Sequence, residues 1–312
     1  MYKAFRGWER DVGILPSMTD LIYLAKNAGY KGVEISIREA AEIADKKGVD
    51  YVKGLFDEAS IIPAGWALGI SPDADDEAFK KGLADLPRLA ELGRQIGATR
   101  TVCGVRAFSD ERPFKENFEW TVARFQSICA ILKEHGCCLG FEYLTHPGFR
   151  VGHRYEFIHT TKGALEFCDA VGTGNIGLLF DTWWWYIAGE TVEDIKDLTH
   201  GQVNYCHISD GPKELSLEEL CKMHPNLRGY WSQPDRNGRL FPGETGVIDL
   251  VGCLKILDKI GYDGPVMPEV YIGSFGRKIP PNRAGQLSGV LEAARSLREP
   301  LDKIWKKAGL AD

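Results

Sequence analysis

Several absences narrow the chain first. No C-x-x-C pair occurs among its eight cysteines, Cys103, Cys129, Cys137, Cys138, Cys168, Cys206, Cys221 and Cys253. Most sit inside apolar runs, so they read as buried reduced thiols, and a reducing compartment is expected. No stretch approaches the roughly 18 apolar residues of a membrane span. The N-terminal MYKAFRGWERDVG has neither an apolar h-region nor a small-residue cleavage site. These absences predict a cytoplasmic protein with no membrane partner. Positive charge is not in excess: 38 Lys and Arg against 44 Asp and Glu leave a net charge of −6. A binder of nucleic-acid backbone normally carries a basic stripe, so no nucleic-acid partner is expected. Composition shows no linker-like break either, and residues 1–312 are read as one domain, a length that α/β barrels reach as a single unit.

Short apolar runs alternate with longer amphipathic ones along the whole chain. Strands are expected at Tyr2 to Trp8, Val33 to Ile37, IIPAGWALG from Ile61, Arg100 to Val105, Cys138 to Tyr143, Ile176 to Thr182, Val203 to Ser209 and Pro265 to Tyr271. Helices are expected near Thr19 to Gly29, Arg38 to Ala59, Asp75 to Ile96, Pro113 to His135, Thr161 to Val171, Thr191 to Leu198, Ile248 to Ile260 and Asn282 to Leu297. The strand candidates are apolar nearly throughout, as when both faces of a parallel strand are buried. This alternation predicts the α/β class and a single (β/α)8 TIM barrel. Two connections are long: Thr145 to Thr160 after strand five, and Asp210 to about Val247 after strand seven. Both follow strands, so they belong to the C-terminal face, where barrel function resides.

Four strand candidates end in a residue able to bind a metal: Glu142, Asp181, His207 and Glu269. Barrel strands converge at this rim, so four such residues on four successive strands point into one small volume. Three carboxylates packed together repel strongly unless something neutralises them. One divalent cation does so. An imidazole with three carboxylates suits Mn²⁺ first, then Mg²⁺ or Co²⁺, with Zn²⁺ still open. Aromatic faces stack on sugar C–H surfaces, which makes Trp183 and Trp66 candidate substrate contacts. Arg106 and Arg239 are candidates to hold a substrate carboxylate or phosphate. The segment Gly172 to Gly177 matches G-x-G-x-x-G, but it follows a helix and precedes a strand, so it is read as a helix cap and turn.

The set Glu142, Asp181, His207 and Glu269 resembles the xylose-isomerase-like TIM-barrel superfamily of sugar isomerases and epimerases. FDT at Phe180 to Thr182 is similar to that family's strand-six aspartate motif, and CHISD at Cys206 to Asp210 to its strand-seven histidine. RLFPGETGVIDL from Arg239 resembles its R-x-x-PGEG-x-ID segment, GYDGPVMPEVY from Gly261 its closing strand, and VEISI with Glu34 its second strand. The resemblance implies that the four residues hold one divalent ion which polarises a substrate carbonyl. It implies that Glu142 and Glu269, on opposite faces, exchange a proton with the neighbouring carbon. A sugar or polyol substrate and an isomerase or epimerase activity follow from it.

Two positions depart from the ketose 3-epimerases, which usually carry a histidine three residues after the strand-six aspartate and a second glutamate six residues after the strand-five one. Trp184 and Gly148 stand there. His146, four residues past Glu142, is a candidate general base, since imidazole titrates near neutral pH. It would suit a lyase of the same superfamily, a keto-polyol dehydratase or an enzyme cleaving C-glycosides by β-elimination; a sugar-binding barrel without turnover is a further alternative. Members of this family often form dimers or tetramers. The aromatic segment HPNLRGYWSQPDRNGRLFPGET suits closure over substrate or packing in a homo-oligomer.

Overall fold

Eight strands carry the architecture: β1 (Tyr2–Phe5), β2 (Gly32–Ile35), β3 (Ile62–Ala67), β4 (Arg100–Gly104), β5 (Cys138–Glu142), β6 (Ile176–Asp181), β7 (Val203–Ile208) and β8 (Pro265–Pro268). A computed structural model of the chain describes residues 1–6, 16–213, 216–223, 239–270 and 283–311. All eight strands pair in parallel, and β1 bonds to both β2 and β8, which closes the sheet into a barrel in the order β1-β8-β7-β6-β5-β4-β3-β2. Around it run α1 (Met18–Ala28), α2 (Ile37–Lys47), α3 (Val49–Ala59), α4 (Asp76–Ile96), α5 (Phe114–Glu134), α6 (Thr161–Val171), α7 (Thr182–Ile187), α8 (Val192–Ile195), α9 (Leu217–Met223), α10 (Leu250–Lys259) and α11 (Arg283–Lys307). The expected (β/α)8 barrel is therefore present.

Local chemistry sets many of these boundaries. Ser17 and Asp20 form a reciprocal capping box at the start of α1, and Gly29 ends the helix at φ 82°. The single charged helix expected from Arg38 to Ala59 is two helices. Gly48 sits between them at φ 88° and ψ 156°, where a Cβ is strongly disfavoured, and its N–H closes α2 on the Ala44 carbonyl. The helix expected near Thr191 to Leu198 shortens to α8, a single turn. α11 instead runs ten residues past Leu297 and through Pro300. Burial of Leu301, Ile304 and Trp305 on its far side offsets the proline's cost. The first strand ends at Phe5; Trp8, at the end of the expected run, lies outside the described residues, as does the end of the eighth from Tyr271.

Two apolar regions fill the fold. The larger lies between strands and helices. The smaller joins Ala4, Ala64, Leu179, Tyr205 and Met267, one residue from each of five strands, with Tyr2 and Val102 against it. This is a side-chain layer inside the barrel. Tyr205 crosses it by lying against glycines: a Cβ on Gly65 would come within 2.6 Å of its ring, and one on Gly140 within 3.0 Å of its Cβ. The layer is the floor on which the strand-end residues stand.

After β5, the chain forms a 3₁₀ turn at Pro147–Phe149 and a short strand, Tyr155–Glu156, which pairs with Phe108–Ser109. After β7 it carries α9 and returns at Arg239. Most of the candidate closing segment, residues 224–238, lies outside the described residues. All eight cysteines are free thiols.

Candidate active site

Glu142 and Asp181 are the last residues of β5 and β6, His207 is the penultimate residue of β7, and Glu269 follows β8 directly. Strand register aligns them: Asp181 pairs with His207, and His207 with Met267, two residues before Glu269. Each of the four offers a ligand atom, and these atoms all lie within 4.8 Å of one another. Asp181, His207 and Glu269 are buried, and Glu142 is partly buried.

Two guanidiniums balance the carboxylates. Arg239 donates from Nη1 to Asp181 Oδ1 at 3.1 Å and from Nη2 to Asp181 Oδ2 at 2.8 Å, and its Nη1 is 3.0 Å from Glu269 Oε2. Arg6, just past β1, pairs with Glu269 and reaches Glu34 at 3.5 Å. Burial, then the neighbouring Asp181 charge, raises the Glu142 pKa above the ordinary carboxylate value. Burial, then Arg6 and Arg239, pushes His207 well below the usual imidazole value, so this ring is neutral. Among the described residues neither of its buried nitrogens makes a hydrogen bond, and Nδ1 lies 3.3 Å from Glu269 Oε2. A neutral imidazole presents a lone pair, and three carboxylates beside it supply hard oxygen donors. That donor set fits a divalent cation.

Local folding explains how the surrounding residues arrive. Asp181 doubles as the N-cap of α7, accepting from the Trp183 N–H at 2.9 Å. The helix it starts buries Trp183, Trp184 and Trp185. Arg239 returns to the site because Asp210 and Leu240 exchange backbone hydrogen bonds at 3.0 and 2.8 Å. The buried Asp210 carboxylate also accepts from the amides of Gly211, Thr245, Gly246 and Ile248. One carboxylate thus gathers the turn that carries Arg239 back over the barrel mouth.

Not every expected contact is brought to this cluster. Trp183 is buried near Arg239, with the guanidinium carbon 5.9 Å from its ring. Trp66 is a core residue instead. It is 0% exposed, approaches Gly93 of α4, and donates its indole N–H to the Ala98 carbonyl at 2.9 Å. Its strand position turns it outward toward the helices. Arg106 is exposed and pairs with Asp73 at 3.5 Å. His146 is buried, its Nδ1 accepts from the Gly148 N–H at 3.0 Å, and its Nε2 lies 3.2 Å from the Leu220 carbonyl. Nδ1 therefore uses its lone pair on the backbone, and Nε2 carries the proton. That tautomer leaves no lone pair for a substrate proton.

Three contacts were not visible in the sequence. Arg6 gave no motif, only a position after the first strand. Trp184 donates its indole N–H to Glu142 Oε1 at 3.2 Å. The Tyr205 hydroxyl donates to Glu34 Oε2 at 2.9 Å, and its ring meets that of His207 edge-on with centres 5.7 Å apart. Inward alternation from His207 places Tyr205 on the same face of β7 and was the available signal.

Known proteins share this frame. An inosose isomerase of Halalkalibacterium halodurans is 24% identical over 255 residues, covering 81% of this chain and 82% of that protein. A ketose 3-epimerase of Arthrobacter globiformis is 24% identical over 255 residues, covering 80% and 76%. The crystal structure of an IolI protein with a bound zinc atom superposes with a TM-score of 0.73 at 18% identity, over 99% of both chains. Residues 22–299 match the family model for the xylose isomerase-like TIM barrel, and the chain belongs to that family.

Proposed function

We propose that the protein is a divalent-metal-dependent isomerase or epimerase of a sugar or cyclic polyol, acting by enolisation. The observation that carries this is the convergence of ligand atoms from Glu142, Asp181, His207 and Glu269 within 4.8 Å. The names of the two relatives, an inosose isomerase and a ketose 3-epimerase, support the substrate class, since both substrates are polyols bearing a carbonyl. Mn²⁺ suits the three carboxylates and one imidazole, and the zinc atom in the IolI structure makes Zn²⁺ the other ion to test. When bound, such an ion supplies Lewis-acid polarisation of the substrate carbonyl.

The chain's residues do the rest. Glu142 and Glu269 stand at the ends of β5 and β8, with β6 and β7 between them in the barrel. A carbon held between them meets one carboxylate on each face, so one removes the proton and the other returns it. Asp181 and the neutral His207 complete the ligand set. Arg239 anchors Asp181 and Glu269 from the return loop, and the buried Trp183 beside it supplies an apolar wall that excludes water. His146 is held by the backbone in a tautomer unsuited to a base, which weighs against the elimination reading.

The test combines metal content with isotope exchange. Protein purified without chelator is expected to hold about one divalent ion per chain by elemental analysis, lost in Glu269→Ala and His207→Ala. Incubation with inososes and ketoses in deuterated water is expected to label the carbon beside the carbonyl. An absence of metal after Mn²⁺ and Zn²⁺ loading, or an absence of exchange across the panel in loaded protein, overturns the proposal.

A further inference from the structure

Trp184 is buried at 4% exposure, and its polar atom is spent on one partner, Glu142 Oε1 at 3.2 Å. The indole is itself held from two sides. Phe149, from the 3₁₀ turn after β5, packs edge-on with ring centres 5.7 Å apart, and the Arg239 guanidinium carbon sits 5.0 Å from the ring centre. Gly104 of β4 pairs with Glu142 in the sheet, and a Cβ there would stand in ordinary contact, 3.4 Å from Glu142 Cβ and 3.5 Å from Oε2. Glu142 is therefore oriented by a donor at Oε1.

An indole N–H is a donor only and does not titrate in the working range of a protein. It fixes a carboxylate as acceptor without competing for its proton. A serine, histidine or carboxylic acid in that place could accept as well as donate, and would leave the carboxylate's orientation and protonation state less defined. Because each carboxylate oxygen has two lone pairs, a single N–H at Oε1 leaves capacity for a cation and for a substrate proton.

We propose that Trp184 is a positioning residue for Glu142, its indole N–H fixing the carboxylate in the orientation in which it ligates the ion and faces substrate. The inference rests on the metal-dependent reading above and adds to it a residue that touches neither ion nor reacting carbon. Partners that orient metal ligands typically contribute about 10–100-fold in metal affinity.

Two measurements on the full-length protein test it. In metal-free protein, the Trp184 indole ¹H–¹⁵N resonance, assigned by its loss in Trp184→Phe or Trp184→Tyr, is expected to shift in Glu142→Gln. By calorimetry with Mn²⁺, Trp184→Phe, which keeps a ring and removes the N–H, is expected to bind about tenfold more weakly than wild type. A shift without an affinity loss means that the bond forms but does not position the ligand, and overturns the proposal. An affinity loss without a shift assigns the effect to packing and overturns it as well. Wild-type protein that binds neither Mn²⁺ nor Zn²⁺ overturns the metal reading, while the indole resonance still decides whether Trp184 holds Glu142.

Discussion

Arg239 holds Asp181 through two hydrogen bonds, at 2.8 and 3.1 Å, across 58 residues of sequence. Both partners are almost fully buried. A buried two-toothed pair of this kind is costly to break, because truncation leaves the other charge uncompensated, at about 3–5 kcal/mol. Arg239→Ala is therefore expected to lower the melting temperature strongly in the presence of chelator. Saturating Mn²⁺ should restore much of the loss, since an ion held as proposed would neutralise the same carboxylates and favour the folded state. Equal losses with and without Mn²⁺, read by differential scanning calorimetry, would separate Arg239 from the cluster's charge balance.

The Asp210 carboxylate accepts four backbone amides, from Gly211, Thr245, Gly246 and Ile248, at 2.7–3.1 Å. Each buried donor left without a partner costs about 1–3 kcal/mol. Asp210→Ala is expected to destabilise more than Asp210→Asn, which keeps one acceptor oxygen. Hydrogen exchange at Thr245, Gly246 and Ile248 should rise in both. Protection unchanged in the Ala variant would show that the turn holds itself.

Glu190 is expected to make stability depend on pH. Its carboxylate accepts from the Thr161 N–H at 2.8 Å and from the Thr161 hydroxyl, which also meets the Tyr143 hydroxyl at 2.6 Å. Burial, the largest influence, raises its pKa above the usual 4.5. The folded state therefore holds this proton more tightly than the unfolded chain does. Its contribution is fully present below pH 4.5 and is lost as pH rises through the higher folded-state value. Glu190→Gln keeps the hydrogen bonds by reorienting the Thr161 hydroxyl. It is expected to melt higher than wild type at pH 7, and the difference should shrink toward zero below pH 4.5. A Gln variant that is less stable at pH 7 would refute the sign.

Trp66→Phe should separate core from site. Removing the indole N–H leaves the buried Ala98 carbonyl without its partner, and stability is expected to fall by about 1–3 kcal/mol. Metal affinity and deuterium exchange should stay at wild-type levels. A change in either would place Trp66 in the site after all.

Much of this was legible in the linear order of residues. Strands buried on both faces are apolar throughout, so eight apolar runs between amphipathic ones are enough to indicate a barrel. The periodic ascent of each strand to one rim is enough to bring Glu142, Asp181, His207 and Glu269 together, because the register of a closed parallel sheet leaves strand ends little freedom. Trp66 was misread for the opposite reason. Alternation states that a strand residue faces one of two sides, and in β3 the pairing register shifts between Val33 and Glu34 of its neighbour β2, an irregularity that local pattern does not show. His146 is a candidate base by its position after Glu142, and only its packing against Gly148 and Leu220 engages both of its nitrogens.

The barrel and the convergence of Glu142, Asp181, His207 and Glu269 both follow from short-range periodicity repeated eight times. What surrounds them does not. Arg6, Trp184 and Tyr205 act through contacts between distant segments, and Arg239 returns to Asp181 only because Asp210 gathers a distant turn. Such contacts depend on side-chain direction and on the path of connecting loops, which burial and backbone hydrogen bonding fix across the whole molecule and no local pattern encodes.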